Sequence, residues 1–287
     1  MRLSRVDVIV VPYDSGHRGR RMGAGPGRLL DAGLLEVLRK TCDVVEANWV
    51  GLPDDFFPAE PQAAFELQRR VAGAVRRASE RGAFPLVLSG NCNTAIGTIA
   101  GVGESTLGVM WFDAHGDFNT PDTTRSGFFD GMALAAATGR CWKEALSTIP
   151  SFHPVDDARI VHLGARDFDI EESRLLSSTR IEVMPAARVR EGIAGTMALR
   201  RAHTRDIYLH LDMDVLDSGE GKANGYAKPG GLAAREIAHA IVEIGAAFRV
   251  RAAAITAYEP IYDPGGEVAT IAVGLASAII GAASDGD

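Results

Sequence analysis

Leu107-Gly108-Val109-Met110-Trp111-Phe112-Asp113-Ala114-His115-Gly116-Asp117 is an apolar run that ends abruptly in two acids and a histidine. The run reads as a buried strand, and Asp113, His115 and Asp117 follow at alternate positions, which in an extended chain share one face. A second run, Ile207 to Leu211, delivers Asp212 and Asp214 in the same way. Open parallel α/β sheets bind ligands beyond the carboxyl ends of their strands, so these two ends mark both the fold and the seat of its chemistry.

Outward from these segments, short apolar runs alternate with helical patterns along the chain. The candidate strands are Val6 to Val11, Asp43 to Glu46, Pro85 to Ser89, Leu107 to Asp113, Arg159 to Gly164, Ile181 to Met184, Ile207 to Asp212 and Ala252 to Tyr258. The clearest helical patterns are Gly27 to Arg39, Pro61 to Arg81, Ala187 to Ala202, Ala233 to Phe248 and Val268 to Ala283. This is the pattern of an α/β protein whose parallel sheet is covered on both faces. No Pro/Gly/Ser-rich linker divides it, so residues 1–287 read as a single domain with 284–287 as a loose tail. Gly23 to Gly27 lacks the Gly-Lys-Ser/Thr ending of a phosphate loop and reads as a loop entering a helix at Pro26.

The chain has 287 residues, 46% of them hydrophobic and 23% charged, enough to bury a sizeable core. Its net charge of −7 argues against nucleic acid, whose phosphates call for a basic stripe. Cys42, Cys92 and Cys141 are odd in number and far apart, which points to a reducing compartment rather than a disulfide framework. Neither an apolar stretch of about 18 residues nor the order of a signal peptide is read, so no membrane partner and a cytoplasmic location are expected.

Four carboxylates brought together without cations would cost several kcal/mol in repulsion and desolvation. Carboxylates with imidazole suit divalent ions such as Mn²⁺, and a pair of ions about 3.5–4 Å apart can hold and deprotonate a bridging water. A lone Asp-x-Asp is as well explained by helix capping. Two acid-tipped strands together favour metal.

These segments resemble the arginase/agmatinase/formiminoglutamase (ureohydrolase) family over nearly the whole chain. Gly25-Pro26 with Leu29 to Glu36 is similar to the family's N-terminal loop and first helix, and Trp111 to Pro121 is close to its signature. Leu211 to Asp217, followed by Gly230-Gly231-Leu232, is similar to its second metal-binding segment. The resemblance implies a three-layer αβα fold with an eight-stranded parallel sheet, in agreement with the strand count. It implies that Asp113 and Asp212 bridge two metal ions, with His115 and Asp214 serving one and Asp117 the other. Asn119, Thr124 and Ser126 match positions that hold an α-carboxylate. Asp169 matches one that meets an α-amino group, with Glu172 as its helper, a set suited to an amino-acid substrate. Family members commonly form trimers or hexamers. This chain ends soon after its last helix, without the long extension through which some arginases interlock, and leaves its oligomeric state open.

Three positions depart from the family pattern. Ser89-Gly90-Asn91-Cys92-Asn93 stands where Gly-Gly-Asp-His-Ser is expected, so Cys92 occupies the place of the first metal-ligand histidine. A thiolate there takes the neutral balance of four carboxylates and two divalent ions to −1, and sulfur shifts preference from Mn²⁺ towards Zn²⁺ or Fe²⁺. Asp130 replaces the proton-shuttle histidine, and an ordinary Asp, with a pKa of about 3.9, is a poor general acid at neutral pH. Ala257 replaces the Glu that grips guanidinium, while Glu259 follows two residues later on the expected strand face. Either Glu259 or Asp130 substitutes for that carboxylate, or the pocket no longer binds plain guanidinium. Asp117, Asp130 and Glu259 are therefore the candidate catalytic residues.

The expected activity is hydrolysis of arginine, or a modified arginine such as N-hydroxyarginine, by a bridging hydroxide to give ornithine and urea or a urea derivative. Agmatine has no carboxylate for Asn119 and Ser126 to hold. The alternatives are a formiminoglutamase or other amidine hydrolase, and a metal-binding homologue without turnover.

Overall fold

Alternation along the strands decides where the core lies. A computed structural model describes residues 3–56 and 59–285. Its main sheet comprises β1 (Arg5–Val11), β2 (Val44–Trp49), β3 (Phe84–Ser89), β4 (Gly108–Phe112), β5 (Ile160–Leu163), β6 (Glu182–Met184), β7 (Asp206–Asp212) and β8 (Arg249–Thr256). The eight strands lie in the order β2-β1-β3-β8-β7-β4-β5-β6, and every neighbouring pair is parallel. The last strand in sequence, β8, thus sits between β3 and β7 in the middle of the sheet.

One face of the sheet carries Val6, Val8, Met110, Phe112, Leu209, Leu211 and Ile255. It is covered by helices Gly25–Asp31, Leu34–Leu38, Ala234–Ala247 and Glu267–Asp285, which bring Leu29, Leu34, Ile241, Ile244 and Ala272 into the same cluster. The opposite face carries Ile9, Val11, Val87, Val109, Trp111 and Tyr208, packed against Leu67, Val71, Val75, Ile96 and Ile99 of helices Glu60–Glu80 and Thr94–Val102. Apolar side chains on both faces of each central strand require helices on both sides, and three layers result.

The expected boundaries shift where backbone conformation intervenes. The pattern Gly27 to Arg39 divides into two helices at Gly33, whose φ of +89° leaves the right-handed helix, and Ala187 to Ala202 divides likewise around Gly192, at φ +102°. β8 stops at Thr256 instead of Tyr258, because Ala257 turns to φ +58°. Ser284 belongs to the last helix, where its Oγ donates to Ile280 O and accepts from Leu3 N. Residues 286–287 lie outside the described residues.

The expectation that no segment has membrane-spanning length also needs correction, since Glu267–Ser284 passes that test by length and composition. In the fold 56% of that stretch is buried, with Val268, Ala272 and Ile279 in the core, so packing accounts for its apolar character. The same helix crosses Ala234–Ala247 at Gly245, where an added Cβ would lie 2.6 Å from Ala282 Cβ and 2.7 Å from its Cα. Gly245→Ala gains about 1 kcal/mol of helix propensity. It must also push the two helix backbones apart, an overpacking cost of about 1–3 kcal/mol. We expect a net loss of stability, read as a lower midpoint in chemical denaturation with an unchanged slope.

Candidate active site

β4 and β7 are neighbours in register, with Phe112 opposite Leu211, so the acids that follow them emerge side by side. Trp111 and Tyr208 lie on the face that packs under helix Thr94–Val102, and alternation carries that face on to Asp113 and Asp212. Each acid also steadies its own loop. Asp113 Oδ1 accepts from His115 N at 2.7 Å, and Asp212 Oδ1 accepts from Asp214 N at 2.7 Å. Asp214 Oδ1 accepts from Ala114 N at 3.3 Å, tying one acid-bearing loop to the other.

Around these acids, His115 Nδ1 lies 3.3 Å from Asp214 Oδ2 and 3.4 Å from Asp113 Oδ1. Cys92, beyond the end of β3, donates from Sγ to Asp212 Oδ2 at 2.9 Å. Asp117 is held in a left-handed turn at φ +49°, its carbonyl accepting from Leu134 N and Ala135 N, and its Oδ2 is buried without a hydrogen-bond partner. The structure thus gathers Cys92, Asp113, His115, Asp117, Asp212 and Asp214 around one point.

Their electrostatics test whether cations belong there. Burial, reinforced by Asp214, raises the pKa of Asp113, and burial with Asp113, Asp130 and Asp212 pushes Asp117 well up. Asp212 is raised by burial and by its neighbours Asp214 and Asp113. Cys92 is raised by burial and then by Asp212. Burial pulls His115 down, but Asp214 and Asp113 outweigh it and hold the imidazole up at about 12. While no cation is bound, a proton on His115 offsets part of the negative charge, and an ion held by this imidazole would take that proton's place. Donor atoms of Asp113, His115 and Asp214 all lie within 4.8 Å of one another, as do those of Cys92, Asp113 and His210. Orphaned Asp117 Oδ2 and this donor chemistry fit two divalent cations.

A cavity of about 240 Å³ opens onto these groups. Cys92, His115, Asp117, Asp212 and Asp214 line its floor, while Asn119, Ser126, Asp130, Asp169 and Glu172 line its walls. Asn119 Nδ2 donates to Asp169 Oδ2 at 3.2 Å, so the amide and acid expected to meet an amino acid already touch. Glu172 accepts from Phe118 N and Asp169 N, which makes it a clamp on the backbone of both loops. Asp130 accepts from Asn93 N at 2.9 Å and Asn91 Nδ2 at 2.8 Å. Burial outweighs those bonds and pushes its carboxyl up to about 8 while no cation is bound, above the range of an ordinary Asp.

Two expected residues do not join this group. Thr124 is not in the cavity lining, and its Oγ1 accepts from Gly127 N. Glu259 is also absent from the lining. β8 ends before Ala257, so the alternation that would place Glu259 beside it is broken, and Glu259 instead precedes the turn Pro260–Tyr262 with its N–H donated to Ala223 O. Of the two carboxylates considered as replacements for the guanidinium Glu, only Asp130 reaches the cavity.

Other functional residues carry no sequence signal. Buried Asn224 donates from Nδ2 to Asp214 Oδ2 at 3.1 Å and to Ala257 O at 2.8 Å, joining Asp214 to the cavity wall. Arg166 donates to the carbonyls of Gly164, Asp214 and Lys228, fixing the loop beyond β7. Tyr226 and Phe128 stack at 5.9 Å at the cavity wall. Asn224 and Tyr226 lie in irregular chain. His210, however, shares a strand face with Asp212, and that alternation is a readable signal.

Comparison with known proteins agrees with this geometry. The Arginase family model matches residues 4–281. An arginase from Brevibacillus brevis is 33% identical, with 96% of this chain and 97% of that protein covered. The arginase of Bacillus caldovelox is 32% identical over 96% of this chain and 98% of its own length. Its crystal structure superposes with a TM-score of 0.86, covering 98% of this chain and 99% of that one. A sheet of the same architecture, acids converging beyond β4 and β7, and likeness over nearly the whole length lead to one assignment: the chain belongs to the arginase family and is a hydrolase of linear amidines.

Proposed function

We propose that this hydrolase cleaves the guanidino group of arginine, or of a modified arginine such as N-hydroxyarginine, using two divalent ions held by Cys92, Asp113, His115, Asp117, Asp212 and Asp214. The observation that carries the reading is that Cys92, His115, Asp117, Asp212 and Asp214 line the same cavity as the amino-acid contacts Asn119, Ser126 and Asp169, with Asp113 bonded to the backbone of His115. When bound, the ions supply an acidified water and a positive field for the charge that develops on the attacked carbon's substituents. The protein's own residues hold the substrate. Ser126 and Asn119 offer donors to its carboxylate, and Asp169 accepts from its ammonium. Asp130, which lines the cavity, would move a proton to the departing nitrogen.

Ala257 favours a guanidine altered at its far end. It lines the cavity with a methyl group, and its carbonyl is already engaged by Asn224, so no carboxylate is offered there to a full guanidinium charge. N-hydroxylation lowers the basicity of a guanidine and supplies a hydroxyl that Asp130 can engage. The same residue favours formiminoglutamate as a second reading, because an amidine without a guanidinium needs no such acid. Product analysis after incubation with arginine, N-hydroxyarginine and formiminoglutamate, each with Mn²⁺, Zn²⁺ or Fe²⁺, decides between them. Ornithine with urea or hydroxyurea supports the proposal; formamide with glutamate sinks it. No turnover of any compound at full metal occupancy would leave a binding protein.

Asp169→Asn keeps a polar cap on helix Ile170–Ser177 and removes the charge facing the substrate ammonium. A charge-assisted bond of about 1.5–3 kcal/mol is lost, so KM should rise about 10- to 100-fold with a smaller change in kcat, measured by steady-state kinetics. Cys92→His removes one negative charge from the cation cage. The activity profile of this variant should shift to lower pH, and its preference should move from Zn²⁺ or Fe²⁺ towards Mn²⁺, as measured by activity after reconstitution with each ion.

A further inference from the structure

Behind Cys92 lies a buried chain of side chains that the family resemblance does not account for. Tyr208, His210 and Asp212 alternate along β7, and Thr256 is paired with Asp212 at the end of neighbouring β8. The hydroxyl of Tyr208 lies 2.8 Å from His210 Nδ1. His210 Nε2 lies 3.3 Å from Thr256 Oγ1, which in turn lies 3.2 Å from Cys92 Sγ. Trp111 stacks on the His210 ring with centroids 3.7 Å apart and planes at 13°, and its indole N–H donates to Asp113 Oδ2 at 3.1 Å.

We propose that His210 is a direct ligand of the ion at the Cys92 end of the cage, supplying through Nε2 the imidazole that cysteine has displaced. This rests on the two-metal reading above. One donor atom each from Cys92, Asp113 and His210 lie within 4.8 Å of one another, and all three residues are buried. Nδ1 is committed to Tyr208, which is the outer partner a ligating histidine needs to fix its tautomer and ring orientation. Trp111 restrains the ring from one side, so the donor is already aimed. The partners of the ring are two hydroxyls and no carboxylate, consistent with a neutral imidazole. A neutral donor also suits the charge balance: a thiolate already adds one negative charge, and His210 adds a bond without adding another.

A competing role is that His210 only positions Cys92 through Thr256. Titration of the metal-free protein with Co²⁺ separates the two, read as metal-to-protein ratio, affinity, the Co²⁺ d–d bands and the sulfur-to-Co²⁺ charge-transfer band. The wild-type protein should bind two ions with the sulfur band present. His210→Gln should weaken one of the two ions by more than about 100-fold, beyond what loss of an outer partner produces, and alter the d–d bands while the sulfur band persists. Tyr208→Phe keeps the ring and removes only its orienting hydroxyl. It should weaken the same ion about 10- to 100-fold, and it serves as the readout should His210→Gln fail to fold. Thr256→Val should have a smaller effect than either. The proposal is overturned if Thr256→Val reproduces His210→Gln in full, or if His210→Gln and Tyr208→Phe both bind two ions with wild-type affinity and spectrum. Wild-type protein that binds no Co²⁺ overturns the two-metal reading, and this proposal with it.

Discussion

Asp113, Asp117, Asp212 and Asp214 are each no more than 7% exposed, and ionised carboxylates so buried repel one another with little water between them. Without compensation several kcal/mol of desolvation would fall on each, against a total stability of only about 5–15 kcal/mol for a typical domain. The surroundings answer this in two ways. Backbone N–H groups of Ala114, His115 and Asp214 are turned onto the acids, and the His115 imidazole lies between Asp113 and Asp214, where it takes a proton while no cation is bound. Neither reaches Asp117 Oδ2, which has no partner. The arrangement is complete only with further positive charge.

The same alternation that builds the core delivers this cage. On β4 and β7 one set of side chains, Met110, Phe112, Leu209 and Leu211, seals the lower face of the sheet. The other set passes from apolar Val109 and Trp111 to Asp113, and from Tyr208 through His210 to Asp212. A shift of one residue in either strand would send the acids into the apolar layer and the leucines into the cavity. Register is therefore fixed by core and site together.

Strand positions were legible because the central strands are buried on both faces and read as unbroken apolar runs. The acids at their ends were legible because apolar segments seldom finish in clustered carboxylates. Helix limits were less so: Gly33 and Gly192 break patterns whose hydrophobic spacing continues across them. Glu259 was misplaced because strand alternation was extended past Ala257, where the backbone has already turned. Asn224 and Arg166 act through contacts spanning tens of residues, between Asn224 and Ala257 and between Arg166 and Lys228, and local sequence holds no record of such contacts. The fold and the converging acids are written in short-range pattern, whereas the wall of the cavity is written in loop closure.

The place of β8 has a consequence for biosynthesis. Cys92 follows β3, Asp212 ends β7, and the strand that lies between these two is β8, which leaves the ribosome last of the eight. Until it inserts, the sheet is two separate slabs with unpaired inner edges, and Cys92 stands on one slab while His115 and the four acids stand on the other. A nascent chain thus exposes two sticky edges late in synthesis, when a chaperone has most to offer, and Cys92 is the last of the group to reach the acids.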